Sequence, residues 1–222
     1  MLVDIVIAAA YGLVLLVLLW PTRSTAERLL KRWDVPDPTP DQFEDAIRYL
    51  RRRRLLYPLL FAGLAFVPTL RGNGVGQIAV IVLGGTLLAE LLALRPRRDA
   101  LRVATLARRR LLDFASRWVL GAYVVIVLAV AAYLGAHQQW NRVLLLGLSA
   151  AAVGVIIWAA VVRPASGDQV VDLALRTRSA HVSAGLGAGL AGALMDHPIG
   201  FLGLLAWIAM AGTTPRHLKI RG

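Results

Sequence analysis

The stretch VLLVLLWPTR, residues 14–23, ends a long apolar run with a tryptophan, a proline and an arginine. Proline cannot continue a helix, and tryptophan and arginine are typical of the membrane–water interface. The stretch therefore predicts a membrane helix that reaches the cytoplasmic face near Arg23. Three further apolar runs end in the same way: Leu94-Arg95-Pro96, Val162-Arg163-Pro164 and Thr214-Pro215-Arg216.

The composition indicates an integral membrane protein. Of the 222 residues, 58% are hydrophobic, which is more apolar surface than a soluble domain can cover with polar residues. Near-uncharged runs recur at about the 20-residue length that a helix needs to cross a bilayer. We expect an all-α, polytopic helical bundle that forms a single membrane domain over residues 1–222. The chain has no cysteine, which excludes disulfides and thiolate metal sites.

The order of apolar and basic segments predicts seven transmembrane helices, or six if the last two runs do not both cross. The glycine-rich run before Asp196 is only moderately hydrophobic, and Asp196-His197-Pro198 separates it from the last run. Seven spans place Arg216, Lys219 and Arg221 in the cytoplasm and the N-terminus outside. The expected spans are residues 2–20, 55–70, 76–94, 119–135, 143–162, 181–195 and 199–213.

The positive charge follows the same topology. The net charge is +12, yet among 25 lysines and arginines only Arg71 and Arg142 fall on the outer side. This is the positive-inside distribution of membrane proteins, and it explains the charge without nucleic-acid binding. We therefore expect no nucleic-acid partner. The excess of arginine over lysine suggests a bacterial protein of the cytoplasmic membrane, with the first apolar run retained as a span.

Three basic segments between the spans are predicted to form amphipathic cytoplasmic helices: residues 24–54, 97–118 and 166–180. The first segment is expected to contain two helices, with a break from Asp34 to Pro38. In the first, Thr39 precedes Pro40 and an acidic turn, which is the pattern of a helix start. In the third, Asp172 and Arg176 are spaced four residues apart, as an ion pair on one helix face requires.

Glu90 is the only acid predicted to lie well inside a span. A carboxylate there costs several kcal/mol unless it is paired or protonated, so it is a candidate intramembrane polar site. Thr86 lies one turn away on the same helix face and could complete this site. The alternative, which we favour, is that Glu90 pairs with an arginine at the headgroup level and fixes the packing of its helix.

Two arginine clusters are candidate contacts for lipid headgroups. Anionic lipids attract basic residues at the inner surface with about 1 kcal/mol for each charge. We therefore expect anionic membrane lipids among the partners of this protein. The clusters are Arg51, Arg52, Arg53 and Arg54, and Arg108, Arg109 and Arg110.

Small residues recur at helical spacing in two of the predicted spans. Glycine at such positions lets helices approach closely in lipid, so these residues are candidates for helix packing, within the bundle or in a homo-oligomer. They are Gly185, Gly189 and Gly192 in one span and Gly147 and Gly154 in another.

The sequence contains no recognisable catalytic, cofactor or metal motif, and we expect no catalytic residues, no cofactor and no metal. Asp196-His197-Pro198 could pair an acid with an imidazole. A turn in which Pro198 opens the next helix explains these residues better.

These features favour a non-enzymatic accessory or scaffold protein that associates with another membrane protein through its basic cytoplasmic helices. The first alternative is a small transporter or channel, as a homo-oligomer, with its site at Glu90. The second is a membrane enzyme, which would require Asp196 and His197, or a residue such as Asp113, to converge in a site.

Overall fold

The computed structural model describes residues 2–32, 35, 37–64, 75–93, 102–103, 111, 115–162, 165–166 and 169–212. The described elements are α1 (Leu2–Leu18), α2 (Arg23–Arg32), α3 (Pro40–Arg54), α4 (Tyr57–Leu64), α5 (Val75–Ala93), β1 (Arg102–Val103), α6 (Arg117–Ala136), α7 (Trp140–Val162), β2 (Ala165–Ser166), α8 (Gln169–Leu194), a 3-10 turn (Pro198–Gly200) and α9 (Phe201–Gly212). The expectation of a helical chain is confirmed.

Among the described helices, three are long and apolar enough to cross a membrane: α5 over Gly76–Ala93, α6 and α7. A fourth candidate is the pair of α1 and α2, which bends by 80° between Leu18 and Arg23. The prediction of seven spans is therefore met only in part within the described residues. Helix α4 and the apolar stretch Pro198–Gly212 are short, and the glycines and polar residues of α8 make it less apolar than its neighbours.

Where the structure describes the predicted spans, their bounds agree within a few residues. Helix α5 covers Val75–Ala93 against the predicted 76–94, and α7 covers Trp140–Val162 against 143–162. The largest difference concerns α8. A cytoplasmic helix over 166–180 and a separate span over 181–195 were expected, but one continuous 26-residue helix joins them.

Helix α8 is the centre of the bundle and is packed against α5, α6, α7 and α9. Nearly all of its residues from Val171 onward are buried. The largest hydrophobic cluster includes Leu186 and Leu190 of α8 together with Leu83, Leu134 and Val153 of the helices around it. A helix that is buried all round needs no polar face, which is why α8 lacks an amphipathic pattern.

The two ends of the bundle differ in chemistry. At one end, called the turn end here, the α6–α7 and α8–α9 turns lie together with the start of α5. Arg142 links these turns, since its guanidinium lies 3.0 Å from the Leu194 carbonyl oxygen and 3.4 Å from the Asp196 carboxylate. The opposite end, called the arginine end, contains α2, α3 and the first half of α8.

At the arginine end, α2 and α3 turn their apolar faces towards each other and towards α8. Ala26 and Leu30 of α2, Ala46 of α3 and Val171 and Ala174 of α8 form one buried cluster. The predicted start of α3 is confirmed: Thr39 caps the helix in a reciprocal arrangement with Gln42, and Pro40 follows it. The apolar faces of these amphipathic helices are thus used inside the chain.

Of the expected helix over 97–118 the structure describes residues 102–103, 111 and 115–118, and residues 102–103 are not helical. Arg102 and Val103 are extended and pair antiparallel with Ser166 and Ala165, and α6 begins only at Arg117. The hydrogen bonds between the two short strands pair backbone N–H and C=O groups that a helix would pair within itself. Arg108, Arg109, Arg110, Asp113 and the tail beyond Gly212 lie outside the described residues.

Large apolar side chains cover the outer surface of the bundle. Val125 and Leu128 of α6, Leu144 and Leu148 of α7 and Leu205 of α9 are each about 60% exposed. Soluble proteins rarely expose so wide an apolar surface, whereas lipid tails solvate it well. This surface supports a membrane location and agrees with the apolar helices.

We expect Gly12→Ala to separate α1 from α4. A Cβ atom at residue 12 would lie 2.6 Å from the Cα atom of Pro58 and 2.9 Å from the Tyr57 carbonyl oxygen, and neither backbone atom can move freely. Overpacking of this kind costs about 1–3 kcal/mol, which a detergent unfolding titration measures. Gly63→Ala in α4 is the control, since no atom lies within 4 Å of its Cβ position. Equal stability of Gly12→Ala and Gly63→Ala would contradict the close contact between α1 and α4.

Candidate functional site

Glu90 lies in the last turn of α5 at the arginine end and is completely buried, with 0% of its surface exposed. Its carboxylate lies 2.8 Å from the Arg53 guanidinium and accepts hydrogen bonds from the Tyr49 hydroxyl and from Ser179, the latter at 2.7 Å. The alternative that we favoured, in which Glu90 pairs with an arginine, agrees with this geometry. Arg53 and Tyr49 come from α3 and Ser179 from α8, so Glu90 joins three helices.

Tyr49 extends the network to a second arginine. Its hydroxyl donates to Glu90 and accepts a hydrogen bond of 3.0 Å from Arg178, whose guanidinium also lies 5.5 Å from the centre of the tyrosine ring. Burial, and then the negative charge of Glu90, raise the pKa of the Tyr49 hydroxyl. The hydroxyl therefore stays protonated and remains a donor to the carboxylate.

Arg53 is charged in this setting. Burial of the guanidinium acts to lower its pKa, but the charge of Glu90, followed by the Tyr57 and Tyr49 hydroxyls, raises the pKa above its ordinary value. The cost of taking two charges out of water can exceed their mutual attraction, unless further hydrogen bonds satisfy the buried pair. Tyr49 and Ser179 supply such bonds to the carboxylate.

Thr86, the second member of the predicted polar site, does not contact Glu90. Its hydroxyl donates a 2.6 Å hydrogen bond to the Val82 carbonyl oxygen one turn earlier in α5. Threonine in a helix commonly makes this bond to its own backbone. The partners that Glu90 has instead come from α3 and α8.

The four arginines of the first predicted headgroup cluster separate into two pairs. Arg51 and Arg52 are exposed on α3, as a headgroup contact requires, whereas Arg53 and Arg54 are only 7% and 8% exposed. Arg53 has Glu90 as its partner. Helix periodicity places consecutive residues about 100° apart, so four adjacent arginines cannot all face the same surroundings.

The first half of α8 carries further polar contacts that join it to its neighbours. Asp172 and Arg176 form the predicted ion pair at 2.7 Å, and Arg176 also donates to the Ala160 carbonyl oxygen at the end of α7. His181 accepts a hydrogen bond from the Ser116 backbone N–H just before α6. These contacts, with Ser179 and Arg178, make this half of α8 the point where the surrounding helices meet.

The predicted packing glycines also fall into two groups. Gly185, Gly189 and Gly192 face α9, where a Cβ atom on any of them would meet Trp207 or the backbone of Gly200 and Gly203. Gly147 and Gly154 on α7 have no atom within 4 Å of their Cβ positions. The first group therefore allows α8 and α9 to approach closely, and the second lies on an open face.

The turn end contains a cavity of about 240 Å³ lined by α5, the α8–α9 turn and α9, with Asp196 and His197 at its border. His197 caps the 3-10 turn that Pro198 opens, by accepting a hydrogen bond from the Ile199 N–H. The interpretation of Asp196-His197-Pro198 as a turn is thus confirmed. In the part of the chain that the structure describes, His, Asp and Glu side chains form no group of three or more suited to a metal ion.

Comparisons with family models, with curated proteins and with solved structures find no match to this chain. The chemistry of the Glu90 network is therefore inferred from its geometry alone.

Proposed function

We propose that this protein is a non-enzymatic accessory or scaffold component of a bacterial cytoplasmic membrane, and that it binds another membrane protein through the basic surface of α2 and α3. The observation that carries the proposal is that these two helices are held in place by contacts with the rest of the bundle. Their apolar faces pack against α8, and Arg53 and Tyr49 of α3 are bound to Glu90. A surface held in this way is pre-organised for docking, which reduces the entropy cost of association.

The exposed surface of α2 and α3 carries a positive charge. The exposed basic residues include Arg23, Arg28, Lys31, Arg51 and Arg52. The acids of these helices are fewer: Glu27 pairs with Lys31, Glu44 and Asp45 pair with Arg48, and Asp41 lies at the start of α3. A partner with an acidic cytoplasmic surface fits this charge. Complementary charges speed association and select the partner.

The topology that we propose has seven spans, with the N-terminus outside and the C-terminus in the cytoplasm. Two contacts support it. Arg142 links the two turns at one end of the bundle, and the Arg32 guanidinium at the end of α2 donates to the Gly212 carbonyl oxygen at the end of α9. The second contact favours a location of the α9 terminus at the arginine end, which is the cytoplasmic side under the positive-inside rule.

A transporter or channel with its site at Glu90 has less support. The carboxylate is held by an arginine, a tyrosine and a serine of the same chain, and an ion or proton pathway requires a group that can exchange partners. Ion or proton flux into vesicles that contain the purified wild type, abolished in a folded Glu90→Gln variant, would favour transport over the accessory function.

Affinity purification from native membranes in mild detergent tests the proposal. We expect a membrane protein to co-purify with the wild type, and to be lost from a variant that combines Arg28→Glu with Arg51→Glu. His137→Glu, which adds an acid at the exposed turn end, should retain the partner. A wild type that purifies alone, as a monomer or homo-oligomer, would contradict the proposal.

A further inference from the structure

The arginine end brings three guanidinium groups near one buried carboxylate: Arg53 and Arg54 are buried, and Arg178 is partly exposed. The charges of Arg53 and Arg178 both act on Arg54, and the carboxylate of Glu90 interacts with both Arg53 and Arg178. Arg53 and Glu90 pair with each other, and Arg178 has only the uncharged Tyr49 hydroxyl as its hydrogen-bond acceptor in the described residues. Three guanidinium groups thus share one carboxylate there, which leaves two positive charges in excess.

Arg54 is the clearest case. The side chain is more than nine-tenths buried, and its Nη1 atom is enclosed without a hydrogen-bond partner in the described part of the chain. Burial lowers the pKa of this guanidinium; the Tyr57 hydroxyl acts in the opposite sense, and the charges of Arg53 and Arg178 lower the pKa further. A buried charge without a partner is strongly unfavourable, so this position calls for an anion.

We propose that Arg54 and Arg178 form a binding site for a phosphate-bearing anion at the junction of α3 and α8. A guanidinium has five N–H donors in a planar fork that matches the oxygens of phosphate in bidentate fashion. One anion bound by both guanidinium groups would offset the electrostatic repulsion between them. Glu90 has a positioning function, since it holds Arg53 and Tyr49 in place, and Tyr49 in turn holds Arg178.

The anion can come from two sources with the same chemistry. The site lies at the end of the bundle where basic residues meet the membrane surface in the proposed topology, so the phosphate group of an anionic lipid can reach it. Free inorganic phosphate is the other source. This inference goes beyond the accessory function, because it assigns a ligand to Arg54 and Arg178 rather than a partner to the exposed basic surface of α2 and α3.

The direct experiment uses the full chain, purified and freed of lipid in a neutral detergent, at constant ionic strength. Thermal unfolding is followed with inorganic phosphate, with dioctanoyl phosphatidic acid and with dioctanoylglycerol, which has the same chains and no phosphate. Stabilisation by phosphatidic acid alone would identify a lipid headgroup site, and stabilisation by inorganic phosphate as well would identify a site for free phosphate. No stabilisation by either anion, or equal stabilisation by dioctanoylglycerol, would overturn the proposal.

Two variants locate the site. We expect Arg54→Gln to weaken binding of the stabilising anion by about tenfold or more, because a hydrogen-bonded charge is lost. Arg52→Gln, which removes an exposed charge from the same helix, should bind as the wild type does. If Arg54→Gln does not fold, Arg178→Gln is expected to show the same loss. If Arg52→Gln weakens anion binding as much as the tested site variant does, the anion binds through the general surface charge and the proposal is overturned. Unchanged anion binding by a folded Arg54→Gln variant would also overturn the proposal.

Discussion

Glu90→Gln is expected to destabilise the protein by about 3–5 kcal/mol, because it leaves the buried guanidinium of Arg53 without its negative partner. The glutamine keeps the size of the side chain and an oxygen that can accept from Tyr49 and Ser179. The loss of stability therefore reports the removal of the negative charge rather than a change in packing. Unfolding by SDS in mixed micelles, followed by circular dichroism, gives the free energy of unfolding.

The matched control for this variant is Glu44→Gln in α3. Glu44 lies 3.6 Å from Arg48, but its side chain is 74% exposed. Water screens such a pair, so the expected loss is below about 1 kcal/mol. A second comparison removes both charges: the double variant Glu90→Leu with Arg53→Met should be more stable than the Arg53→Met variant alone, since it leaves no unpaired carboxylate. Equal effects of Glu90→Gln and Glu44→Gln would show that Glu90 does not form the buried pair.

Gly192→Ala is expected to disrupt the contact between α8 and α9. A Cβ atom at residue 192 would clash with the Gly200 carbonyl oxygen and would lie 3.0 Å from the Cα atom of Gly203. Because both obstacles are backbone atoms, the helices would have to separate, at a cost of about 1–3 kcal/mol or more. The unfolding titration described for Glu90 detects this loss, and gel filtration shows whether the fold remains compact.

Gly147→Ala in α7 provides the comparison. Nothing lies within 4 Å of its Cβ position, and alanine favours a helix over glycine by about 1 kcal/mol. The variant should therefore be as stable as the wild type or slightly more stable. A large loss of stability in Gly147→Ala would indicate that this open face is covered by another chain, and a neutral Gly192→Ala would contradict the close approach of α8 and α9.

The sequence predicted most of the helix bounds because proline, arginine and tryptophan are local signals. A proline next to an arginine favours the end of a span, and the described ends of α1 and α7 lie within a few residues of the predicted ones. The ion pair of Asp172 with Arg176 could also be predicted from the sequence, because it depends only on helical spacing.

The partners of Glu90 could not be predicted in the same way. The sequence identified the acid itself, since a carboxylate in an apolar run is conspicuous. Tyr49 and Ser179, however, lie 41 and 89 residues away along the chain, and no periodicity connects residues on different helices. Thr86 was chosen because it is a neighbour on the same helix, and it bonds to its own backbone instead.

The sequence predicts two segments in α8 because its charged residues, among them Asp172 and Arg176, all lie before residue 181. Such residues usually mark the end of a span, since they are costly in contact with lipid. In the structure this half is enclosed by other helices, which supply hydrogen-bond partners for Arg176, Ser179 and His181. Burial within protein allows one continuous helix to carry them.

The proposed topology depends on the arginine end and the C-terminal tail sharing the cytoplasmic side. Because the natural chain has no cysteine, single cysteines at Arg28, His137, His197 and His217 can each be labelled in intact cells with a membrane-impermeant maleimide. We expect Cys at positions 137 and 197 to react from outside, and Cys at positions 28 and 217 to react only after the cells are lysed. Labelling of position 28 or 217 from outside would contradict the seven-span topology and the cytoplasmic location of the basic surface.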